Sequence, residues 1–298
     1  MVLRGVAGVA AAAVMALTAC SSSGAVTTSD TTSTAAKGPV NVLYAGSLVG
    51  LMENSLGPQF DQATGDHFQG FSAGSDALAQ QIKGKVRQGD VFISASPSVN
   101  AELQGAANGN WESWYAKFAS APLLIGYNPH SKFAADLKSK PWYQVITQPG
   151  FKLGVTDPKI DPKGRLAQQA LSEAATSYHD PGLPAAAQRN TTVLPETELV
   201  GRLESGQLDA GFFYSNEATE QKIPTISLDP VRLAATYTAT VLNKAPNPAP
   251  ATAFVQYLLS PTGQALLKKD GLTPMPPTLS GNPADVPPAL KSVLRGGA

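Results

Sequence analysis

From about residue 39 onward, the apolar positions alternate between two spacings. Asn41-Val42-Leu43-Tyr44-Ala45 is a short apolar run that ends in Gly46-Ser47. After it, Leu48, Leu51, Met52, Leu56 and Phe60 recur at the period of a helix. The order then repeats, with His67-Phe68-Gln69-Gly70-Phe71 followed by Leu78, Ile82 and Val86 at i, i+4 and i+8. Asp90-Val91-Phe92-Ile93-Ser94 has the continuous apolar character of a buried strand. Strand–helix, strand–helix, strand predicts a parallel sheet with crossover helices.

Further along, Ala121–Tyr127 reads as a strand, followed by loops rich in Lys and Pro. Leu153-Gly154-Val155 is a strand leading into Asp157-Pro158-Lys159-Ile160-Asp161-Pro162-Lys163-Gly164-Arg165. A helix carrying Leu166, Ala170, Leu171 and Ala174 begins there. Residues 180–190 read as a Pro/Ala loop, Glu198–Leu203 as a helix and Ala210–Tyr214 as a strand. Thr236–Leu242 reads as a strand, Pro250–Lys269 as one helix, and the chain from Pro274 as a Pro-rich tail.

The amino terminus follows neither spacing. Arg4 precedes an apolar run from Val6 to Ala19, which has the length of a signal-peptide core. It is shorter than the ~20 residues that span a bilayer. The run ends in Leu17-Thr18-Ala19-Cys20, which resembles the bacterial lipobox. That resemblance implies a lipoprotein signal peptide at 1–19 and a lipid on Cys20. Such a lipid would anchor an exported protein to the outer face of the cytoplasmic membrane. Residues 20–38, Ser/Thr-rich and almost uncharged, read as a flexible tether. Cys20 is the sole cysteine, so no internal disulfide and no cysteine metal site is available.

Composition narrows the function classes. The 22 basic and 22 acidic side chains balance, which argues against nucleic-acid binding, where a basic excess is usual. Removing 1–19 takes away Arg4 and no acid, leaving the mature chain marginally acidic. Charged residues are 15% and hydrophobic residues 43%, so a core is affordable and disorder throughout is excluded.

The candidate chemistry lies in a recurring turn. Ala-Gly-Ser occurs at 45–47 and again at 73–75, each time between a predicted strand and a predicted helix. Serine caps helices and glycine makes turns, so one such turn has a purely structural explanation. Two in the same context point to more. The first N–H groups of a helix lack internal partners and sit at its electropositive end. Glycine lets a ligand approach the backbone, and the serine adds a hydroxyl. Two such ends on neighbouring strands would converge on an anion at the carboxyl edge of the sheet.

Other chemistries are weaker. His67, His130 and His179 are far apart and show no metal-ligand spacing. No phosphate-loop signature is present, and Lys83, Lys85 and Arg87 suit the solvated end of a helix. Gly70-Phe71-Ser72-Ala73-Gly74 fits the G-x-S-x-G nucleophile elbow, which makes a secreted serine hydrolase using Ser72 the alternative enzymatic reading. Its base would have to be His130 or His179; His179 lies in a Tyr-His-Asp-Pro loop without an identifiable strand edge, and no HGGG-type oxyanion loop is present.

The ordered set of motifs resembles the molybdate/tungstate-binding proteins of ABC importers. The residues that carry the resemblance are Val42–Leu48, Phe71–Ile82, Gly89–Ala95, Asp161–Arg165, Leu203–Asp209, Phe213-Tyr214 and the stretch Thr236–Leu272. The resemblance implies an α/β, two-lobed type II periplasmic binding protein, each lobe a mostly parallel sheet flanked by helices. The lobes would be 39–120 plus 237–298, and 121–236, with the ligand in the cleft between them. It implies a monomeric receptor without catalysis or cofactor, which delivers tungstate or molybdate to a permease. Sulfate, phosphate, ferric iron or an organic anion are the alternative cargoes.

Carried over residue by residue, Ser47 and Ser75 donate to the oxyanion, Asp161 and Glu196 are ligand-site carboxylates, and Tyr214 hydrogen-bonds the anion. No metal is implied other than the oxyanion's own centre. Glu198, close to Glu196, competes for the second carboxylate. The chain departs from the pattern at Arg165, which follows Gly164 directly where the tungstate branch has Gly-Tyr-Arg. It departs again at Thr238, after Tyr237, where many members have proline. Carboxylates repel a dianion at low dielectric. They would have to approach the metal centre itself, expanding its coordination, or carry protons. The structural alternative is that Asp161 only caps its helix and Glu196 lies in an exposed loop.

Overall fold

The computed structural model describes residues 37–294. The expected signal peptide at 1–19, the expected lipidation at Cys20 and the expected tether, up to residue 36, lie outside the described residues.

Ten strands form one mixed sheet: β1 (Pro39–Ala45), β2 (His67–Ala73), β3 (Val91–Ser94), β4 (Trp114–Tyr127), β5 (Leu153–Thr156), β6 (Thr191–Leu194), β7 (Ala210–Tyr214), β8 (Thr225–Ile226), β9 (Ala234–Val241) and β10 (Thr273–Gly281). Their order is β2-β1-β3-β9-β4-β7-β5-β6, with β8 and β10 also on β4. β1 pairs in parallel with β2 and β3, and β5 pairs in parallel with β6 and β7. These parallel groups flank an antiparallel centre in which β9 pairs with β3 and β4, and β7 with β4. The mostly parallel sheet expected for each lobe is therefore parallel only at its flanks.

The 14-residue β4 runs through both parts of the sheet. Its first part pairs with β9 and β10 up to Pro122, and from Leu123 to Tyr127 it pairs with β7 and β8. The Leu123 N–H donates to the Leu233 carbonyl at 2.8 Å, so this part of β4 and the chain that enters β9 lie side by side.

Three expectations need correction. Residues 273–281 are not a loose tail but the strand β10, antiparallel to β4 with a register shift between Pro274 and Thr278. That shift accommodates prolines, which cannot donate to a ladder. The predicted Pro/Ala loop contains a helix at Leu183–Arg189, with a proline in the first turn where its missing N–H costs nothing. The single helix expected over 250–269 is two, Pro248–Leu259 and Pro261–Lys269. Ser260 takes an extended conformation before Pro261, and its hydroxyl accepts from the Gly263 N–H at 3.2 Å to cap the second helix.

The predicted periodic faces point inward. Leu78 and Ile82 of the helix Ser75–Lys83 pack with Leu43 and Phe92 on one face of the first half. On the other face Phe60, Phe254 and Leu258 join the main core. Each fully buried side chain of this kind contributes ~1.5–3 kcal/mol, which fixes the strand ends that carry the site. No helix among the described residues is long and apolar enough to cross a membrane.

Candidate functional site

Register places the two Ala-Gly-Ser turns together. β1 and β2 are parallel neighbours with Ala45 opposite Ala73, so Gly46-Ser47 and Gly74-Ser75 leave the same edge of the sheet side by side. Gly46–Leu48 forms a 3-10 turn, and Ser75 opens the helix Ser75–Lys83. Both serines are buried. The Ser47 hydroxyl lies 2.8 Å from the Tyr237 hydroxyl, and Ser75 Oγ accepts from the Ala95 N–H at 3.1 Å.

The second half brings up the carboxyl ends of β5, β6 and β7. Beyond β5, Asp161 is the N-cap of the helix Pro162–Ser177 and accepts from the Lys163 N–H at 3.0 Å. Beyond β6, Glu196 is buried, whereas Glu198 faces solvent and pairs with Arg202 at 2.8 Å. Tyr214 is the last residue of β7 and is 1% exposed. Asp161 thus caps its helix as the structural alternative required. Its Oδ2, however, is buried without a partner, and so is the Tyr214 hydroxyl. Glu196 is not in an exposed loop.

The halves meet at these turns. A Cβ on Gly46 would fall 1.5 Å from Glu196 Oε2, and one on Gly74 would fall 2.5 Å from the Ile160 carbonyl and 3.2 Å from Asp161 Cβ. Across the same seam the Ala77 N–H donates to the Ile160 carbonyl at 3.2 Å, and Arg165 pairs with Asp76 at 2.9 Å. The side-chain amide of Asn216 donates to the Ser47 carbonyl. A cavity of about 300 Å³ opens beside the turns, lined by Gly46, Ser47, Ser72, Glu196 and Glu217 among others.

At the centre lies a residue that sequence reasoning did not select. Lys163 is 1% exposed, and its Nζ donates to Glu217 Oε1 at 2.6 Å and to Glu196 Oε1 at 3.1 Å. Glu217 is held in turn by the Tyr214 N–H, which donates to its Oε2 at 2.8 Å. Burial opposes the charge of Lys163. The carboxylates of Glu217, Glu196 and Asp161 outweigh it and hold the ammonium above its ordinary pKa. Burial pushes Asp161 up to about 6, with the Lys163 ammonium opposing and the Glu196 carboxylate adding to the rise. Glu196 is raised as well, by burial first, against the pull of Lys163. Tyr214 and Tyr237 are pushed well up by burial, so both hydroxyls keep their protons.

Desolvating such a cluster costs several kcal/mol per ion, so stability gives no reason for placing it here. One sequence signal did exist for Lys163. It occupies the first turn of a helix, where a cation opposes the macrodipole and needs a specific carboxylate to hold it. Glu217, Asn216 and Tyr237 carried no such local signal.

The hydrolase geometry is not assembled. All three histidines are exposed, and none hydrogen-bonds to Ser72. Among the described residues, no group of three His, Cys, Asp or Glu side chains is arranged to hold a metal ion.

The sequence matches the family described as bacterial extracellular solute-binding protein over residues 40–273. A protein of Haloferax volcanii, described provisionally as an ABC transporter molybdenum-binding protein, is 31% identical over 191 residues, which is 63% of this chain and 59% of that protein. The chain therefore matches less than two thirds of that relative's length. A molybdate/tungstate-binding protein of Thermococcus kodakarensis is 24% identical over 280 residues, covering 76% of this chain and 77% of the relative. Among solved structures, the periplasmic molybdate-binding protein of Azotobacter vinelandii superposes with a TM-score of 0.63 at 20% identity. It covers 78% of this chain and 98% of its own. The fold is that of type II periplasmic binding proteins.

Proposed function

Because the chain belongs to the bacterial extracellular solute-binding protein family, we propose that it is the receptor of an ABC importer for a tetrahedral oxyanion, tungstate or molybdate. The observation that carries this reading is the convergence of two helix-opening Ala-Gly-Ser turns on buried polar atoms that have no protein partner, Tyr214 Oη and Asp161 Oδ2. Buried polar groups are normally paired. The relatives named for molybdenum, molybdate and tungstate point to the same ligand class.

In this reading, 39–120 plus 237–298 and 121–236 are two lobes that open and close about the crossings at Pro122/Leu123 and Leu233/Ala234. Opening admits the anion. Closure surrounds it with Ser47, Ser75 and Tyr214, brings up Asp161 and Glu196, and displays the loaded state to a permease. Asp161 and Glu196 sit beside a dianion either by approaching the metal centre or by carrying protons, and their raised pKa values favour protons at low pH. A lipid on Cys20 would keep a monomeric receptor beside its permease. The test is calorimetric titration of the purified protein with tungstate, molybdate, sulfate and phosphate at equal ionic strength. Binding confined to tungstate and molybdate is expected. Binding of sulfate or phosphate alone would change the cargo, and binding of no anion would remove the reading.

A further inference from the structure

We propose that Lys163 is the ligand-contacting cation of this site, and that it sets the preference for tetrahedral dianions over monoanions of the same shape. The inference rests on the oxyanion reading and deepens it.

The charges make the case. Asp161, Glu196 and Glu217 are three buried carboxyl groups that act on Lys163, and Lys163 is the one buried cation among the described residues. A dianion entering this cluster meets repulsion from every ionised carboxylate, at a dielectric far below that of water. Ser47, Ser75 and Tyr214 supply only neutral hydroxyls. Arg165, at the same seam, is partly exposed and paired with Asp76, so among the described residues Lys163 is the one fully buried positive charge from which attraction can come.

Its geometry suits the task. An ammonium has three N–H donors, and two are engaged, by Glu217 and Glu196. The third is unassigned, in a region where Tyr214 Oη and Asp161 Oδ2 are also unpartnered. Nζ lies 5.3 Å from the centroid of the ring of Tyr214, the residue that carries the candidate ligand hydroxyl. Glu217 is a positioning residue. One oxygen is fixed by the Tyr214 N–H and the other holds Nζ, so the ammonium is aimed by β7 itself. Helix stability does not explain the lysine, because its charge opposes the macrodipole at that position.

The test compares tungstate with perrhenate, a tetrahedral anion of nearly the same size and half the charge, at pH 8. Wild type, Lys163→Met and the double variant Lys163→Met/Glu217→Gln are titrated calorimetrically. The double variant removes the lysine together with the carboxylate it neutralises, and it carries the test if the single variant does not fold. Loss of a charge-assisted bond to the anion weakens tungstate binding by about 10- to 150-fold in both variants. The loss for perrhenate is expected to be several-fold smaller. Tungstate binding within threefold of wild type in either folded variant would overturn the inference, because Lys163 would then only neutralise its neighbours. Equal losses for both anions would overturn it as well, since the contribution would not be one of charge. In those cases the oxyanion reading survives. If wild type binds neither anion nor molybdate, that reading fails and the inference falls with it.

Discussion

Gly74→Ala tests whether the seam between the halves is the binding seam. Gly74 precedes the helix Ser75–Lys83 with φ −56° and ψ 138°, a conformation open to any residue, so the substitution strains no backbone angle. Its cost comes entirely from the contact. The added Cβ would lie 2.5 Å from the Ile160 carbonyl oxygen and 3.2 Å from Asp161 Cβ. Ordinary contact needs ~3.5 Å, so the 160–161 segment must retreat by roughly 1 Å. That retreat stretches the Ala77–Ile160 hydrogen bond and draws Asp161 away from the two turns. Overpacking of this kind costs ~1–3 kcal/mol, and under the proposed two-lobe motion that cost falls on the closed arrangement. If closure and binding are linked, affinity falls by about 5- to 150-fold. Isothermal titration with tungstate reads the affinity, and the unfolding midpoint without ligand serves as the control. Affinity within twofold of wild type would refute the reasoning. So would a large drop in the unliganded midpoint, which would make the turn a folding element.

Other consequences can be measured in parallel. Ser47→Ala and Ser75→Ala should each weaken tungstate binding by about tenfold, the value of one hydrogen bond to a charged group, while Ser72→Ala leaves it unchanged; the reverse pattern in a titration would point to Ser72. Burial lifts Asp161 to about 6, so it is protonated below that pH; tungstate affinity should fall as pH rises from 5 to 7, and Asp161→Asn should flatten the profile. Burial also lifts Glu112 to about 8, against the hydrogen bond from Asn100. The stability Glu112 permits is complete below about pH 4.5 and is lost progressively as pH rises from there to about 8, so Glu112→Gln should stabilise the protein by about 3 kcal/mol at pH 7 in denaturant unfolding. Destabilisation by that variant at pH 7 to 9 would contradict this account.

The strands β1, β3 and β7 were legible because each is a continuous apolar run between turn residues, and burial on both faces demands that pattern. Other elements were decided by non-local contacts. β10 carries three prolines and reads as a tail until β4 offers it a single edge with a register shift. The antiparallel place of β9 at the centre leaves no local mark, because pairing partners are chosen by packing. The site divides in the same way. Ser47, Ser75 and Asp161 belong to local strand–turn–helix signatures, which sequence displays. Glu217 and Glu196 lie 54 and 33 positions further along the chain than Lys163 and become its partners only once the chain between has folded. The inward turn of Glu196 and the outward turn of Glu198 depend on the 3-10 segment Glu196–Glu198, which presents them to different surroundings.

The central claim is that this seam binds a tetrahedral oxyanion, and thermal unfolding of the purified protein tests it most directly. Each of tungstate, molybdate, sulfate and phosphate is added at equal ionic strength. A ligand at about 100 times its Kd adds roughly 2.7 kcal/mol, which raises the midpoint by several degrees. The account predicts that rise with tungstate and molybdate and its absence with sulfate and phosphate. An unchanged midpoint with all four anions would contradict it.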